Sequence, residues 1–300
     1  MTRISVVMPI YNGERFLQES IESILRQTYN DFEFIIINDG SRDGSAQIIE
    51  SYLDSRIRYT ENSENIGVTR SLNRGLAMAV GEYVARMDAD DISLPNRLES
   101  QVRFLDSHPE VGVLGTGVRL IDEFGHERET LVFPSEHGVL RWVMCFLFNP
   151  IPHPSVMTRR SHLEQVGGYK EELSCSQDYD LWWRMGEVSR LSNLQEVLLC
   201  LRKHAGNISS TRGKLQREVG LEINRRILSE VLKEEVALSV AERLSGGGFA
   251  NDIEILEAVK VVCRLARMTI AREHLSAGEK GKIRGDAADR MLALLERGGI

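Results

Sequence analysis

The sequence has only four cysteines, and they lie far apart. They are Cys145, Cys175, Cys200 and Cys263, and no two of them form a C-x-x-C pair. A structural zinc site usually needs such pairs, and a disulfide framework needs cysteines at close, regular spacing. The pattern argues against both and suits a reducing compartment.

Long apolar runs and an excess of basic residues are also missing. No stretch approaches the ~20 apolar residues of a membrane-spanning helix, and the first apolar run stops at Pro9, too short for the core of a signal peptide. The net charge of −7 offers no electrostatic footprint for nucleic acid. We expect a cytoplasmic protein that binds no nucleic acid, with peripheral attachment to the inner face of a membrane as an open alternative.

Strand-like and helix-like segments alternate through the first hundred residues. Residues 4–8 and 32–39 are short apolar runs, typical of strands buried on both faces, and a stretch with helical spacing follows each of them. The order predicts an α/β fold with a mostly parallel, Rossmann-like sheet and flanking helices.

The character of the chain changes near residue 210. Residues 111–205 mix short strands with a helical segment, and residues 211–300 have the pattern of helices separated by "SGGGFAND" and "SAGEKGK". We therefore predict one domain over residues 1–210 and a helical C-terminal extension over 211–300. The extension carries no motif that assigns a role. Packing on the first domain or assembly into a homo-oligomer is the expectation, and a lipid surface is the alternative.

Polar residues follow three of the predicted strands. Pro9, Tyr11 and Asn12 come after the first strand, Asp39 after the second, and Asp88 after the fourth. In an open parallel sheet, ligands bind beyond the carboxyl ends of the strands. These groups are therefore expected to meet on one edge.

The stretch "RMDADDISLP" sets Asp88, Asp90 and Asp91 into four positions after an apolar run. Like charges this close repel unless a cation lies among them or one acid is protonated. A solvated turn is one interpretation, and Asp91 can cap the next segment without touching an ion. The position after a buried strand favours the other interpretation, a Mg²⁺ or Mn²⁺ site in which Asp88 and Asp90 approach one cation.

Asp39 and Tyr11 each have two interpretations. Asp39 belongs to an ordinary Asp-Gly-Ser turn, or its carboxylate accepts from a ribose hydroxyl or a base edge. Tyr11 is a core aromatic, or it faces the cleft, where a ring can stack on a base. The neighbouring Pro9 and Asn12-Gly13 favour the cleft.

Three stretches carry a family resemblance. "VVMPIYNGERFLQESIESILRQTYNDFEFIIINDGSRDGS", "ENIGVTRSLNRGLAMAVGEYVARMDADD" and "CSQDYDLWWRM" resemble, in order and spacing, family 2 of the inverting, nucleotide-sugar-dependent glycosyltransferases with the GT-A fold. The resemblance covers roughly residues 3 to 205. It implies a metal-dependent hexosyltransferase that uses a nucleotide sugar, usually a UDP-sugar, and Mn²⁺ or Mg²⁺.

The resemblance also implies roles for residues at matching positions. Asp178 would be the catalytic base. Asp90 and, from the R-x-H element "LRKH", His204 would hold the metal. The nucleotide and donor would be bound by Pro9, Tyr11, Asn12, Asp39, Arg70 and Asp88.

Further residues are predicted around the donor and acceptor pocket. Gly168 and Tyr169 resemble the family's loop before the base, and Gln177 stands where the family usually has Glu, so one charge is missing beside Asp178. Trp182 has packing and sugar stacking as its interpretations. His153, between two prolines, has a structural role or a contact with donor or acceptor.

The expected reaction transfers a sugar to a hydroxyl of a glycan or lipid-linked acceptor, in the assembly of surface polysaccharide, lipopolysaccharide or another glycan. One alternative is a catalytically silent subunit that binds nucleotide sugars. Another is a sugar nucleotidyltransferase, although "PIYNGER" lacks the Gly-rich basic loop expected there. A Rossmann dehydrogenase is excluded, because no G-x-G-x-x-G follows the first strand.

Overall fold

The structure, a computed structural model, describes residues 2–207, 211–249, 251–272 and 274–298. The chain divides into two compact units. The first contains the chain up to Phe133 together with Ile151–Gly213, and the second contains Pro134–Pro150 together with the chain from Lys214 onward.

The first unit is built on a mixed sheet of nine strands. Four parallel strands form one side of it, in the order β3-β2-β1-β4. Their bounds are Ile4–Ile10 for β1, Phe32–Asn38 for β2, Ile57–Glu61 for β3 and Tyr83–Arg86 for β4. The parallel sheet predicted for the first hundred residues is thus confirmed.

The central strands β1 and β2 are buried along their whole length. Both are runs of apolar residues, as expected where helices cover the two faces of a parallel sheet. The covering helices in this part of the chain are α1 (Glu14–Leu25), α2 (Ser45–Glu50), α3 (Val68–Met78) and α4 (Arg97–Ser107). The connections that follow these four parallel strands therefore leave the sheet at the same edge, where Pro9, Tyr11, Asn12, Asp39 and Asp88 lie.

Gly75 explains how closely α3 approaches the sheet. A Cβ at this position would lie 2.4 Å from Cγ1 of Val7 on β1, too near for any side chain. The close contact fixes the helix axis against the central strand. It thereby also fixes the N-terminal end of α3, which begins after Gly67 in the loop beyond β2 and β3.

The second half of the sheet is mainly antiparallel. β8 (Met157–Arg159) pairs antiparallel with both β4 and β6 (Val111–Ile121), and β6 runs parallel to β9 (Arg190–Arg202). Two short strands complete it, β5 (Ile92–Ser93) against β9 and β7 (Glu127–Leu131) against β6. Two helices of this region are α6 (Arg160–Gln165) and α7 (Gln177–Val188), and one 3₁₀ turn spans His153–Ser155.

The second unit is helical. It contains α5 (His137–Met144), α8 (Gly213–Leu232, mostly in this unit), α9 (Leu238–Leu244), α10 (Asp252–Arg272) and α11 (Ala277–Gly298). Before α11, Ser276 and Glu279 form a reciprocal capping pair, in which the Ser276 N–H donates to Oε2 of Glu279 and the Glu279 N–H donates to Oγ of Ser276.

The sequence-based division placed the boundary between residues 210 and 211. The two units of the structure differ from it because Pro134–Pro150 belongs to the second unit. Within the second unit, α5 packs on α10 and α11. Trp142 is fully buried and its indole N–H donates to Asp286 at 2.6 Å. The Gly138 N–H donates to Glu279 at 3.1 Å. The sequence-based prediction missed α5 because it lies far from the other helices along the chain.

Membrane spans were sought in the described ranges. None of the helices there is both long enough and apolar enough to cross a bilayer.

Candidate functional site

A cavity of about 460 Å³ opens at the carboxyl ends of β1, β2 and β4. It brings together residues from the three strand ends that the sequence singled out and adds the segment that follows β9. Its lining includes Pro9, Tyr11, Asn12, Arg15, Phe16, Asp39, Asn65, Gly67, Asp88, Asp90, His204, Asn207, Thr211 and Arg212. The predicted meeting of these loops on one edge of the sheet is what the structure shows.

Three carboxylates crowd this edge. One oxygen from each of Asp88, Asp90 and Asp91 lies within 4.8 Å of the others. Asp90 Oδ2 accepts from two neighbours, His204 Nε2 at 2.9 Å and Asn207 Nδ2 at 2.9 Å. The Asn207 side chain also accepts the backbone N–H of His204 at 2.6 Å, so it fixes the histidine as well as the carboxylate.

The electrostatics of the three acids follow from their burial. Burial raises the pKa of Asp90, the charge of Asp88 adds to the rise, and the hydrogen bond from His204 opposes it. Burial raises the pKa of Asp91 further above its ordinary value, and the negative charges of Asp90 and Asp88 add to it. Asp88 is the most exposed of the three and forms an ion pair with Arg86.

Asp91 has a structural part in this cluster. Its side chain is buried and accepts the backbone N–H of Arg202 at 2.8 Å, while its own carbonyl accepts from Ser20 Oγ at 2.7 Å. It therefore ties the acidic loop to the end of β9 and to α1. The carboxylate of Asp91 thus binds the backbone of β9, whereas the interpretation from the sequence was a cap on the segment that follows it.

Arg202 completes the link between the acidic loop and the segment after β9. Its Nε donates to the carbonyl of Asp90 at 2.9 Å, and its guanidinium forms an ion pair with Glu19. The guanidinium also lies over the ring of Phe16, 4.6 Å from its centroid, and that ring contacts the imidazole of His204 at 4.9 Å. His204 is thus held against Asp90 by packing as well as by its hydrogen bond.

The donor set suits a hard divalent cation. Mg²⁺ and Mn²⁺ prefer carboxylate oxygens, and Mn²⁺ also accepts an imidazole nitrogen. Asp90 and His204 present such atoms side by side, with Asp88 next to them. A nearby cation would oppose the rise that burial and Asp88 cause in the pKa of Asp90.

Asp39 is the organiser of a loop. Its side chain is 3% exposed, and its two oxygens accept three hydrogen bonds: Oδ1 from Asn62 Nδ2 at 2.7 Å and from the Ile66 N–H at 2.9 Å, Oδ2 from the Gly67 N–H at 2.9 Å. Asp39 therefore shapes the cavity wall formed by Asn65 and Gly67. Its predicted contact with the nucleoside stays a prediction.

The first strand end presents Tyr11 and Asn12. Tyr11 is 49% exposed on the cavity wall, so it does not belong to the core. Asn12 adopts a left-handed backbone with φ 51°, a conformation that Asn tolerates better than most residues. Its side-chain oxygen accepts the Arg42 N–H at 2.8 Å, which joins the loops after β1 and β2. An exposed ring on a fixed loop can stack on a flat base.

Asp178 lies in the first turn of α7, outside the lining of this cavity. Ser176, two residues before Asp178, has a left-handed backbone with φ 54°. Such a strained conformation often marks functional sites. Burial raises the pKa of Asp178. Backbone N–H groups and the charge of Arg86 lower it, and the charge of Asp88 raises it. The base predicted from the family resemblance and the acidic loop therefore act on each other electrostatically.

Three aromatic and imidazole side chains gather near Asp178. His153 Nε2 lies 2.7 Å from the hydroxyl of Tyr169, and the rings of His153 and Trp182 meet edge to face with centroids 5.8 Å apart. Burial lowers the pKa of His153 well below its ordinary value, and the charge of Arg86 lowers it further. Both influences favour the neutral form of the imidazole.

The loop that carries Gly168 and Tyr169 is fixed by α3 and α7. The side-chain amide of Asn73 donates to the carbonyl of Tyr169 at 2.8 Å and accepts its N–H at 3.0 Å. Arg184 donates to the carbonyl of Gly168 at 2.8 Å and forms an ion pair with Asp180. Gly168 has φ 66°, which a side chain would disfavour.

The candidate site has two parts. The first, the strand-end half, consists of Pro9, Tyr11, Asn12, Asp39, Asp88, Asp90, Asp91 and His204. The second, the helix half, consists of His153, Tyr169, Gln177, Asp178 and Trp182.

Two buried polar atoms of the helix half have no hydrogen-bond partner within the described ranges. They are Oε1 of Gln177 and Nε1 of Trp182. Trp182 is fully buried, so packing is one of its roles. Buried polar atoms are normally paired, so each unpaired one calls for a ligand, a water molecule or another explanation.

Arg70 is the predicted donor-binding residue that the structure places apart from both halves. It is outside the cavity lining, its side chain is 57% exposed, and its Nε lies 3.6 Å from Glu171. Its approach to the nucleotide remains a prediction.

Several residues of the site were missed from the sequence. Asn207 lies three positions after His204, and its pairing with Asp90 depends on how the chain turns after β9. Arg212 lines the cavity although it belongs to no recognised motif. Arg86 stands inside "RMDADD", and a charged residue at the end of a buried strand was a signal available in the sequence.

A comparison with protein families identifies the chain. Residues 5–167 match the model of the family "Glycosyl transferase family 2". This chain belongs to glycosyl transferase family 2. The match includes the strand-end residues of both the first and second βα units and the acidic loop, and it stops before Asp178 and His204.

Relatives of this family 2 chain extend the likeness beyond residue 167. A Bacillus subtilis protein, EpsE, provisionally named as a glycosyltransferase, is 41% identical over 67% of this chain and 73% of its own length. The amylovoran biosynthesis glycosyltransferase AmsE of Erwinia amylovora is 31% identical over 70% of this chain and 79% of its own.

Solved structures share the fold of this family 2 chain. TarS residues 1–349 of S. aureus, in complex with UDP-GlcNAc, superpose with a TM-score of 0.63 at 20% identity, over 98% of this chain and 90% of that one. The mannosyltransferase PcManGT of Pyrobaculum calidifontis, with GDP-Man and Mn²⁺, has a TM-score of 0.57 at 18% identity, over 99% of this chain and 86% of that one. The predicted GT-A fold with C-terminal helices is confirmed.

Proposed function

We propose that this chain is an inverting glycosyltransferase that moves a hexose from a nucleoside diphosphate, UDP in the first instance, to an acceptor hydroxyl. The observation that carries the proposal is the joint placement of the acidic loop, His204 and the exposed Tyr11 around one cavity. The charges of Asp88 and Arg86 link that cavity electrostatically to Asp178. Nucleotide sugars are bound by two proteins of the same fold, as UDP-GlcNAc and as GDP-Man.

The strand-end half would bind the donor. The ring of Tyr11 would stack on the base, and Pro9, Asn12 and Asp39 would shape the nucleoside pocket. Asp90 and His204 would hold Mn²⁺ or Mg²⁺, with Asp88 beside the ribose. A bound divalent cation would supply charge neutralisation for the diphosphate. The complex of PcManGT with Mn²⁺ supports this arrangement.

The helix half would serve the acceptor. In the transfer, the acceptor oxygen forms a bond to C1 of the sugar while the bond from C1 to the diphosphate oxygen breaks, and its electron pair leaves with the diphosphate. The proton of the acceptor hydroxyl passes to the carboxylate of Asp178. A single base acting opposite the leaving group inverts the configuration at C1. No covalent enzyme intermediate is needed.

The acceptor is proposed to be a growing glycan, free or on a lipid carrier, in surface polysaccharide or lipopolysaccharide assembly. The name of AmsE, which assigns it to amylovoran biosynthesis, supports this class. We place the reaction on the cytoplasmic side, where nucleotide sugars are made. The second unit is proposed as the contact for a second copy of the chain or for the membrane surface.

The test is a panel of nucleotide sugars, read first by thermal shift and then by turnover. A donor that binds the folded chain raises its melting temperature by mass action. We expect the largest shift for one UDP-sugar with Mn²⁺ and a smaller shift when EDTA replaces the metal. NMR of the product should show inverted configuration at C1.

Each outcome decides between the functions considered. Binding without transfer or hydrolysis of any donor would support a silent nucleotide-sugar-binding subunit. Exchange of pyrophosphate into a nucleotide sugar would support a nucleotidyltransferase. Equal shifts with and without metal would contradict the metal site, and retained configuration would contradict the role of Asp178.

A further inference from the structure

Arg86 is a buried cation whose hydrogen bonds are incomplete. It is the last residue of β4 and is 5% exposed. One guanidinium nitrogen, Nη2, binds Asp88, whereas Nε and Nη1 are buried and find no partner among the residues that the structure describes. A guanidinium stays charged in proteins, and burying a charge with unpaired donors costs several kcal/mol. A hydrophobic residue would fill this strand position at lower cost.

The surroundings of Arg86 include most of the titratable groups of the helix half. Its positive charge acts on Asp178, Tyr169 and His153, lowering the pKa of each. For all three, burial is the larger influence on the pKa. Arg86 therefore sits where the two halves of the site meet: a hydrogen bond joins it to the strand-end half, and its field reaches the helix half.

Two other positive side chains near α7 are already engaged. Arg184 and Lys170 both form ion pairs with Asp180, which lies two residues after Asp178. Among the main influences on the pKa of Asp178, the side-chain cation is Arg86. The field of a buried charge is strong in a low-dielectric interior. The charge of Asp88 opposes that of Arg86, but Arg86 has the larger influence on the pKa of Asp178.

We propose that Arg86 is a positioning residue of the transfer reaction, whose buried guanidinium fixes Asp88 for the donor and provides the counter-charge for Asp178. This inference rests on the proposed function, because it assigns Asp178 the role of base. A partly buried carboxylate is a useful base only while it remains ionised, and the charge of Arg86 favours that form.

The groups that act on Asp178 give the sign of the expected effect. Arg86 on β4 lowers its pKa, and Asp88 in the acidic loop raises it. Asp178 in turn raises the pKa of Tyr169 and of Cys175 on the segment before α7. Removing the charge of Arg86 leaves the pKa-raising influences in place. The pKa of Asp178 should then rise, and the acidic limb of the activity profile should move to higher pH.

The test compares three variants of the full chain. Arg86→Met removes the charge, and Arg86→Lys keeps it with different hydrogen-bond geometry. Arg159→Lys is the matched control, a largely buried arginine of the neighbouring strand β8 that donates to backbone carbonyls, Leu105 among them. For Arg86→Met we expect kcat to fall by about 10- to 100-fold. The acidic limb of the kcat/KM profile should move to higher pH by about one unit. Arg86→Lys should keep the wild-type limb, and so should the control.

A second readout needs no turnover. The ¹³C signals of the aspartate carboxyls, with Asp178 assigned from Asp178→Asn, give its titration midpoint without donor or metal. The midpoint should move to higher pH in Arg86→Met but not in Arg86→Lys. Arg86→Gln takes the place of the methionine variant if that variant does not fold.

The outcomes separate this inference from the proposed function. If wild-type protein transfers sugar but the midpoint and limb are unchanged in a folded Arg86→Met or Arg86→Gln variant, the inference is overturned. If wild-type protein transfers no sugar from any donor, the proposed function fails, and the ¹³C titration still decides whether Arg86 is the counter-charge of Asp178.

Discussion

The strand-end half and the helix half of the site differ in how their polar atoms are satisfied. In the strand-end half both oxygens of Asp39 accept hydrogen bonds, Asp90 accepts from His204 and Asn207, and Asp91 accepts from the backbone of β9. In the helix half, Oε1 of Gln177 and Nε1 of Trp182 are buried without a partner among the residues described.

The difference indicates how each half is organised. The strand-end half is held in shape by the protein's own bonds, as expected for loops that leave parallel strands at one edge. The helix half keeps two buried polar atoms without a partner among the described residues. We therefore expect the first half to bind ligand with little rearrangement. The second should become fully hydrogen-bonded only when the sugar and acceptor are present.

The largest expected effect distinguishes the two halves by whether a substitution affects turnover alone or also the binding of UDP and Mn²⁺. Asp178→Asn should lower turnover by about 10³-fold, because the proton of the acceptor loses its base. The variant should still show the wild-type thermal shift with UDP and Mn²⁺. Asp90→Asn should lose both turnover and the metal-dependent part of the shift. Asp54→Asn, remote from the site and paired with Arg56, is the control. Normal turnover in Asp178→Asn would show that the helix half does not supply the base.

The next effect concerns stability within the strand-end half. Asp39→Asn replaces one carboxylate oxygen by an amide NH₂. Because each oxygen of Asp39 accepts a backbone N–H, that NH₂ would face a buried N–H donor. We expect the free energy of unfolding in urea to fall by about 3 kcal/mol. The exposed Asp31→Asn should change it little. An unchanged value for Asp39→Asn would mean that the loop at Asn62–Gly67 does not depend on this carboxylate.

The third effect is a pH dependence that belongs to the helix half. The pKa of Asp178 is raised above its ordinary value of 3.8 in the folded chain, chiefly by burial. A carboxyl with a raised folded pKa stabilises the fold at low pH, and this contribution is lost as pH rises through that pKa. Asp178→Asn should therefore have a higher melting temperature than wild type at neutral pH. The gain should shrink as the pH falls through the raised pKa of Asp178 and should be gone below about pH 3.8. A gain independent of pH would contradict the assignment.

The smallest effect tests Arg70, which lies outside both halves here. Its contact with Glu171 is long and exposed, so Arg70→Ala should change the free energy of unfolding by no more than about 0.5 kcal/mol. If Arg70 approaches the nucleotide when donor binds, the KM for donor should rise while stability stays the same. Glu171→Ala is the matched control for the ion pair. Equal donor KM values in wild type and Arg70→Ala would show that Arg70 does not contact the bound nucleotide.

The strand-end half was largely predictable from the sequence. Buried runs such as "FIII" in β2 specify parallel strands, and the loops after parallel strands lie on one edge of the sheet. Placing the loop residues there, Tyr11, Asp39 and Asp90 among them, therefore needed no knowledge of long-range contacts. For the same reason the position of the cavity could be predicted before its walls were known.

The helix half was less predictable, because it depends on contacts between distant segments. His153 meets Tyr169 and Trp182 only through the packing of α7 against the sheet. Asn73 serves the loop at Gly168 and Tyr169 from another helix. No local spacing encodes such partners. The family resemblance supplied Asp178, but the position of Arg86, paired with Asp88 and acting on the pKa of Asp178, required coordinates.

The route of the chain between its two units has a consequence for synthesis. The chain enters the second unit at Pro134, returns to the first at Ile151 and leaves it for good after Gly213. On the ribosome, α5 emerges long before α10 and α11, the helices that bury its Trp142. A nascent or truncated chain that ends near residue 213 therefore contains α5 without the helices on which it packs. Expression trials of the first unit alone should replace Pro134–Pro150 by a short polar linker.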